Sequence, residues 1–150
     1  MTDWFQEIRT NKSLNLQGIK NPSQISDDNH TLLQEAIVWA PQYAIALMEL
    51  GTPLDHQDNN GQTALQYAIS RDYEDIATAI IQSGGDVNIS DRYGNAALWT
   101  AVMQPNPNYN IIKSILHHGG DASKVNTSGK TPIIMAKIKG DEEMIQILNG

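Results

Sequence analysis

The sequence predicts an all-α protein: a solenoid of helix-turn-helix units joined by short hairpin-like loops. Three observations predict it. First, Asp58-Asn59-Asn60-Gly61-Gln62-Thr63-Ala64-Leu65-Gln66-Tyr67-Ala68 recurs as Asp91-Arg92-Tyr93-Gly94-Asn95-Ala96-Ala97-Leu98-Trp99-Thr100-Ala101, displaced by 33 residues. A third copy opens at Asn126 and runs to Ala136. Second, a closing signature follows each central copy, as Gly84-Gly85-Asp86-Val87-Asn88 and Gly119-Gly120-Asp121-Ala122-Ser123. Third, the apolar residues between the signatures fall at helical spacing, with Leu65, Ala68 and Ile69 in one segment and Ile76, Ala77, Ile80 and Ile81 in the next.

The elements follow in order along one domain of 150 residues. Residues 1–25 read as a degenerate unit covering one end of the stack, with Asp3 as N-cap of a short helix and Trp4 and Phe5 closing the core. Residues 26–57 form a looser copy, Asn29-His30-Thr31-Leu32-Leu33-Gln34-Glu35-Ala36, closing at Gly51-Thr52-Pro53-Leu54-Asp55. Its Asn29 stands where the other copies have glycine, a substitution the left-handed backbone region tolerates. Residues 58–90 are the best-formed unit. In residues 91–125 the unit is two residues longer, and the surplus falls at Gln104-Pro105-Asn106-Pro107-Asn108, where two prolines forbid a continuing helix. Residues 126–150 read as a truncated capping unit, its second helix reduced to Asp141–Leu148 with Asp141, Glu142 and Glu143 in the first turn.

Gly61, Gly94 and Gly129 suit a turn needing positive φ, and Gly84 and Gly119 suit helix C-termini. Asp58, Asp91, Asp86 and Asp121 read as turn and capping residues and not as acids for catalysis. Small residues at Ala36, Ala68, Ala101 and Ala136 allow helices to approach closely. No unit buries its own apolar face, so stability requires several stacked together.

These segments resemble the ankyrin repeat, whose pattern is D-x-x-G-x-T-P-L-H-x-A followed by an aliphatic helix ending in G-A-D-V-N. The Thr-Pro pair survives only as Thr131-Pro132, becoming Thr31-Leu32, Thr63-Ala64 and Ala96-Ala97 elsewhere. The motif histidine is replaced by Gln34, Gln66, Trp99 and Ile134. Those changes are expected to weaken local hydrogen bonding without removing the core.

Charge narrows the function. The formal net charge of -7 opposes a nucleic-acid phosphate backbone, which is normally met by clustered Lys and Arg. No apolar run reaches the length of a membrane span, and the start lacks the pattern of a secretory leader, so a soluble, cytoplasmic protein is expected. With no cysteine, thiolate chemistry and disulfides are excluded. No metal motif or nucleophile–base set is visible; His117-His118 are helix neighbours pointing apart. Gly84-Gly85-Asp86 and Gly119-Gly120-Asp121 lack the lysine of a phosphate loop. Neither a cofactor nor a metal is expected.

The charge is unevenly spread. From Asn21 to Ser70 there is no Lys or Arg, while Asp27, Asp28, Glu35, Glu49, Asp55 and Asp58 supply six acids. From Lys113 to Lys139 five lysines face Asp121 alone. This polarity suggests an acidic docking face for a basic partner.

The resemblance implies a protein partner bound through the hairpin tips and the concave face of the first helices. Its positions here are Asn59, Asn60 and Gln62 on one tip and Arg92, Tyr93 and Asn95 on the next. At the ends of the first helices they are Val38 and Trp39, Ser70 and Arg71, Met103 and Gln104, and Ile138 and Lys139. Trp39, Tyr93, Trp99 and Met103 carry the most weight, because aromatic residues and Met are enriched where partners bury surface; Trp99 has a rival role, filling the space of the missing histidine. The expectation is a stand-alone, non-catalytic binding protein, monomeric when free. One concrete version is an immunity-type inhibitor that neutralises a basic toxin. The competing class is a regulatory subunit, or an enzyme with an unrecognised concave-face site.

Overall fold

A computed structural model of the chain describes residues 1–10 and 13–150. Its helices are α1 (Trp4–Thr10), α2 (Leu32–Trp39), α3 (Ala44–Glu49), α4 (Ala64–Ser70), α5 (Glu74–Gln82), α6 (Ala97–Met103), α7 (Tyr109–His117), α8 (Pro132–Lys139) and α9 (Glu142–Asn149). They form two layers. α2, α4, α6 and α8 pack in series as an inner layer, α3, α5, α7 and α9 as an outer one, and each inner helix packs on the outer helix that follows it. The only β feature among the described residues is an isolated bridge between Ile25 and Thr31.

The layers close because each helix buries one side. Leu33, Leu65 and Leu98 are fully buried at the same register of successive inner helices, and Ile76, Ile80, Ile81, Ile111, Ile112 and Ile115 fill the outer layer behind them. Ala36, Ala68, Ala101 and Ala136 are buried between neighbouring helices, where a larger side chain would hold them apart. At the N-terminal end, α1 packs on α2 and seals a second cluster of Ile8, Ile19, Leu32, Ala36, Ala40 and Leu47, with Trp4 and Phe5 lying against it. Asp3 caps α1 by accepting from the Phe5 and Gln6 backbone N–H groups. Where a full unit would place a second helix, residues 16–18 make only a 3-10 turn.

Two sequence expectations are corrected. Asp141 lies outside the first turn of α9; it is the N-cap, accepting from the Met144 N–H. The second helix of the last unit runs Glu142–Asn149 and not Asp141–Leu148, with 8 residues against 9 in α5 and α7. The surplus at Gln104–Asn108 does form the loop between α6 and α7.

Candidate protein-binding face

The hairpin tips are built by one repeated hydrogen-bond scheme. In the second unit the Asp58 carboxylate accepts from the Asn60 and Gln62 N–H groups at 2.8 and 2.9 Å. Asp91 repeats this with Tyr93 and Asn95, and Asn126 with Ser128 and Lys130. The fourth tip residue carries positive φ: Asn29 at 63°, Gly61 at 76°, Gly94 at 77° and Gly129 at 71°. Adjacent tips are then tied together, as Arg92 N–H donates to the Asn60 carbonyl and Thr127 N–H to the Tyr93 carbonyl, both at 2.9 Å. A Cβ on Gly61 would stand 2.9 Å from the Arg92 nitrogen, so glycine is required there by close approach as well as by φ.

This scheme sorts the tip residues named from sequence. Asn59, Asn60, Arg92 and Tyr93 are exposed. Arg92 lies over the Tyr93 ring, 4.8 Å from its centroid, and donates to its hydroxyl at 2.6 Å. Gln62 and Asn95 are partly buried and serve the stack: the Gln62 carbonyl accepts from Gln34, and the Asn95 side chain accepts from the Asn126 amide.

The expected weakening at the motif-histidine position occurs in only two units. Thr31 with Gln34 and Thr63 with Gln66 form complete capping boxes. Each glutamine amide also reaches forward, Gln34 to the His56 and Gln62 carbonyls and Gln66 to the Asn95 carbonyl and the Thr100 hydroxyl. In the third unit Ala96 and Trp99 supply neither half of the box, and in the fourth Thr131 caps alone.

At the C-terminal ends of the inner helices, Trp39 is 60% exposed and Met103 40% exposed, and Ile138 stands out of the last unit at 63%. Arg71 is exposed, with its guanidinium 5.3 Å from the Tyr67 ring centroid. Trp99 is partly buried.

Sequence reasoning missed a polar network beneath Trp39. Glu35 of α2 has a side chain only 2% exposed and is gripped by Arg9 of α1, with Nε–Oε2 at 3.0 Å and a second guanidinium nitrogen to Oε1 at 2.7 Å. His30 Nδ1 lies 2.9 Å from Oε1 of the same carboxylate. On the other side of the imidazole, Nε2 stands 3.9 Å from Asp58, which accepts the Tyr67 hydroxyl at 2.5 Å. Burial alone would raise the Glu35 carboxyl; the Arg9 and His30 contacts overcome it and hold the group below the usual glutamate range. The Arg9 guanidinium is stabilised as a cation, first by its hydrogen bond to Glu35. Burial, then the bond to Asp58, raises the Tyr67 hydroxyl. The partners lie 26 residues apart for Arg9–Glu35 and 9 for Tyr67–Asp58, spacings no local motif announces. These carboxylates are already satisfied, and no group of three His, Cys, Asp or Glu among the described residues is placed to hold a metal ion.

A profile of three successive ankyrin repeats matches residues 10–121. The chain belongs to the ankyrin-repeat family. This ankyrin-repeat chain is similar to human BCL-6 corepressor-like protein 1, at 32% identity over 71% of the chain and 6% of that protein. It is 27% identical to human Ankyrin repeat domain-containing protein 63 over 69% of the chain and 28% of the relative. It is 28% identical to a Caenorhabditis elegans protein named intracellular phospholipase A2, again over 69% of the chain but 10% of the relative. The chain thus spans less than a third of each of these relatives. No described helix of this ankyrin-repeat chain is long and apolar enough to cross a membrane.

The ankyrin stack also redistributes the charge counted along the sequence. Of the six acids between Asn21 and Ser70, Glu35 and Asp58 are buried and paired, and Asp28 lies 3.5 Å from Arg9. Asp55 accepts the Asp86 N–H of the next unit, and Glu49 ends the outer helix α3. Asp27 is exposed beside Asp28, so four of the six, Asp27, Asp28, Glu49 and Asp55, stay at the surface. The basic run is divided too. Lys124 donates to the Asn88 carbonyl, and Lys139 to the Val102 and Gln104 carbonyls at the end of α6, where a cation complements the helix dipole.

Proposed function

We propose that this chain is a protein-recognition module, engaging its partner through the hairpin tips and the exposed ends of the inner helices, with Trp39 and Tyr93 as anchors. Ankyrin repeats generally mediate protein–protein interaction, and the match over residues 10–121 supports that function here. The observation that carries the site is the exposure of large apolar side chains, Trp39 at 60% and Tyr93 at 52%, above a core that otherwise closes tightly. Aromatic side chains so placed are the usual centres of binding energy at interfaces.

The binding output is inhibition or scaffolding, and no catalytic step is part of the proposal. The neutralisation of a basic toxin has less support than the acid count suggests, because Glu35 and Asp58 are buried and Asp28 lies beside Arg9. The test is affinity capture from the native cell with the wild-type chain, Trp39→Ala, Tyr93→Ala and the double variant. Loss of a specific partner by about tenfold or more in the double variant is expected, since an anchor residue is worth about 2 kcal/mol or more. Undiminished capture by the double variant would move the site elsewhere.

A further inference from the structure

The chain carries a net charge of -7, yet its inner helices expose no unpaired acid. α4 and α6 contain no acid and α8 contains Lys137 and Lys139 but no acid; the one acid of the inner helices, Glu35, is buried and paired with Arg9. Arg71 extends the same row from the end of α4. On the tips of units two to four, Asp58 is buried, Asp91 holds its own turn, and Arg92 and Lys130 are exposed. Among the described residues Arg71, Arg92, Lys130 and Lys137 take part in no ion pair. Many of the acids lie on the outer helices and back loops instead, as Glu49, Glu74, Asp75, Asp86, Glu142 and Glu143 do, although Asp72 is exposed next to Arg71 in the turn after α4.

The unpaired cations sit among exposed apolar groups. Met103 lies one turn beyond Trp99 on α6, and Ile138 one turn beyond Ile134 on the neighbouring α8. Residues four apart on a helix stand about 6 Å apart along its axis, and packed helices lie about 8–10 Å apart, so these four make a compact apolar patch. Arg71 lies at the end of α4 beside it, whereas Lys137 takes the register at which Ile37, Ile69 and Val102 are buried and is exposed at the end of the stack.

We infer that the partner presents a linear acidic segment bearing apolar side chains, which lies along the α4–α6–α8 face of this chain. The inference rests on the protein-recognition reading above and fixes the partner's chemistry. A carboxylate would pair with Arg71 while the apolar side chains cover Met103 and Ile138. A basic segment would meet like charge there and leave this cation uncompensated. The outer acids then repel acidic segments from the back of the stack and so favour the inner face.

The test pans the whole 150-residue chain against a displayed library of random 16-residue peptides at about 0.15 M salt, where the screening length is about 8 Å. The enriched peptides are expected to be net negative and rich in Leu, Ile, Phe and Trp. Their affinity should fall about tenfold or more with Arg71→Glu or Ile138→Asp. It should be nearly unchanged with Lys113→Glu, which makes the same charge change on the outer helix α7. Enrichment of basic peptides on the tips, lost in Tyr93→Ala, would overturn the inference and leave the protein-recognition reading standing. An equal loss from Lys113→Glu and Arg71→Glu would overturn it as well, since the effect would then be net charge alone. If no peptide is enriched over background, the inference and the recognition reading both fail.

Discussion

Asp72 holds φ at 57° in the turn between α4 and α5, while the same turn in the last unit uses Gly140 at 68°. Both turns return two backbone N–H groups to the end of the inner helix, Asp72 and Tyr73 to Ile69 and Ala68, Gly140 and Asp141 to Lys137 and Ala136. A carboxylate there suffers a left-handed backbone and sits at the negative end of a helix dipole. Asp72→Gly should therefore raise the unfolding free energy by about 0.5–1 kcal/mol, read as a higher urea midpoint at unchanged slope. Arg9→Met works the other way. It leaves the buried Glu35 without its strongest partner and should cost about 1–3 kcal/mol at neutral pH. Because the folded Glu35 pKa is depressed, its contribution is complete above the ordinary value of about 4.3 and is lost as pH falls through the folded value. The gap between wild type and Arg9→Met should accordingly shrink in urea titrations below about pH 4, and a constant gap would show that the pair is not the cause. At this scale the sequence was legible wherever the repeat register spoke: Asn29 was readable as a left-handed residue because three glycines share its place. Asp72 was not, because its turn has one glycine counterpart, outside the motif. Glu35 counted as surface charge because its partner Arg9 comes from outside the aligned repeats.

Between elements, the four inner helices begin with different quality. α2 and α4 have both halves of the capping box, α8 has its threonine, and α6 has Ala96 as N-cap with no side-chain hydrogen bond. Thr31, Thr63 and Thr131 are all buried at that register, as Ala96 is, so the site accepts a threonine hydroxyl and methyl. Ala96→Thr should stabilise the chain by about 1 kcal/mol, seen as a rise in Tm; no gain would mean that Trp99 has shifted the start of α6. The other end of α6 is served from outside by Lys139, whose ammonium takes the Val102 and Gln104 carbonyls. Loss of the motif histidine pointed to weaker hydrogen bonding, and that reasoning fails for glutamine. Its amide has both an acceptor for the cap N–H and donors for the next unit, functions a pattern match scores as a mismatch.

Across the whole molecule, stability resides in contacts between neighbouring units. Two glycines with nearly the same φ separate that coupling from backbone strain. A Cβ on Gly129 meets nothing within 4 Å, so Gly129→Ala carries the cost of positive φ alone, about 1 kcal/mol. Gly61→Ala adds a clash with the Arg92 and Asp91 backbone and should cost at least about 1 kcal/mol more. Equal losses in chemical denaturation would show that the tips are not locked to one another. The 33-residue period made the stack readable from sequence, but not the sign of its faces, because charges distant along the chain share a side only once the units are stacked.

The longer loop between α6 and α7 has the opposite property to the tips. Pro105, Asn106 and Pro107 hold no hydrogen bond to a neighbouring unit, while Asn108 beyond them caps α7 and reaches Glu74. Here the polypeptide can vary in length without disturbing the spacing of its layers, which makes it a port for insertion. A fluorescent protein or epitope spliced in beside Asn106 should leave the cooperative unfolding transition intact, whereas the same graft between Asn59 and Asn60 should abolish it by prising Arg92 from its acceptor.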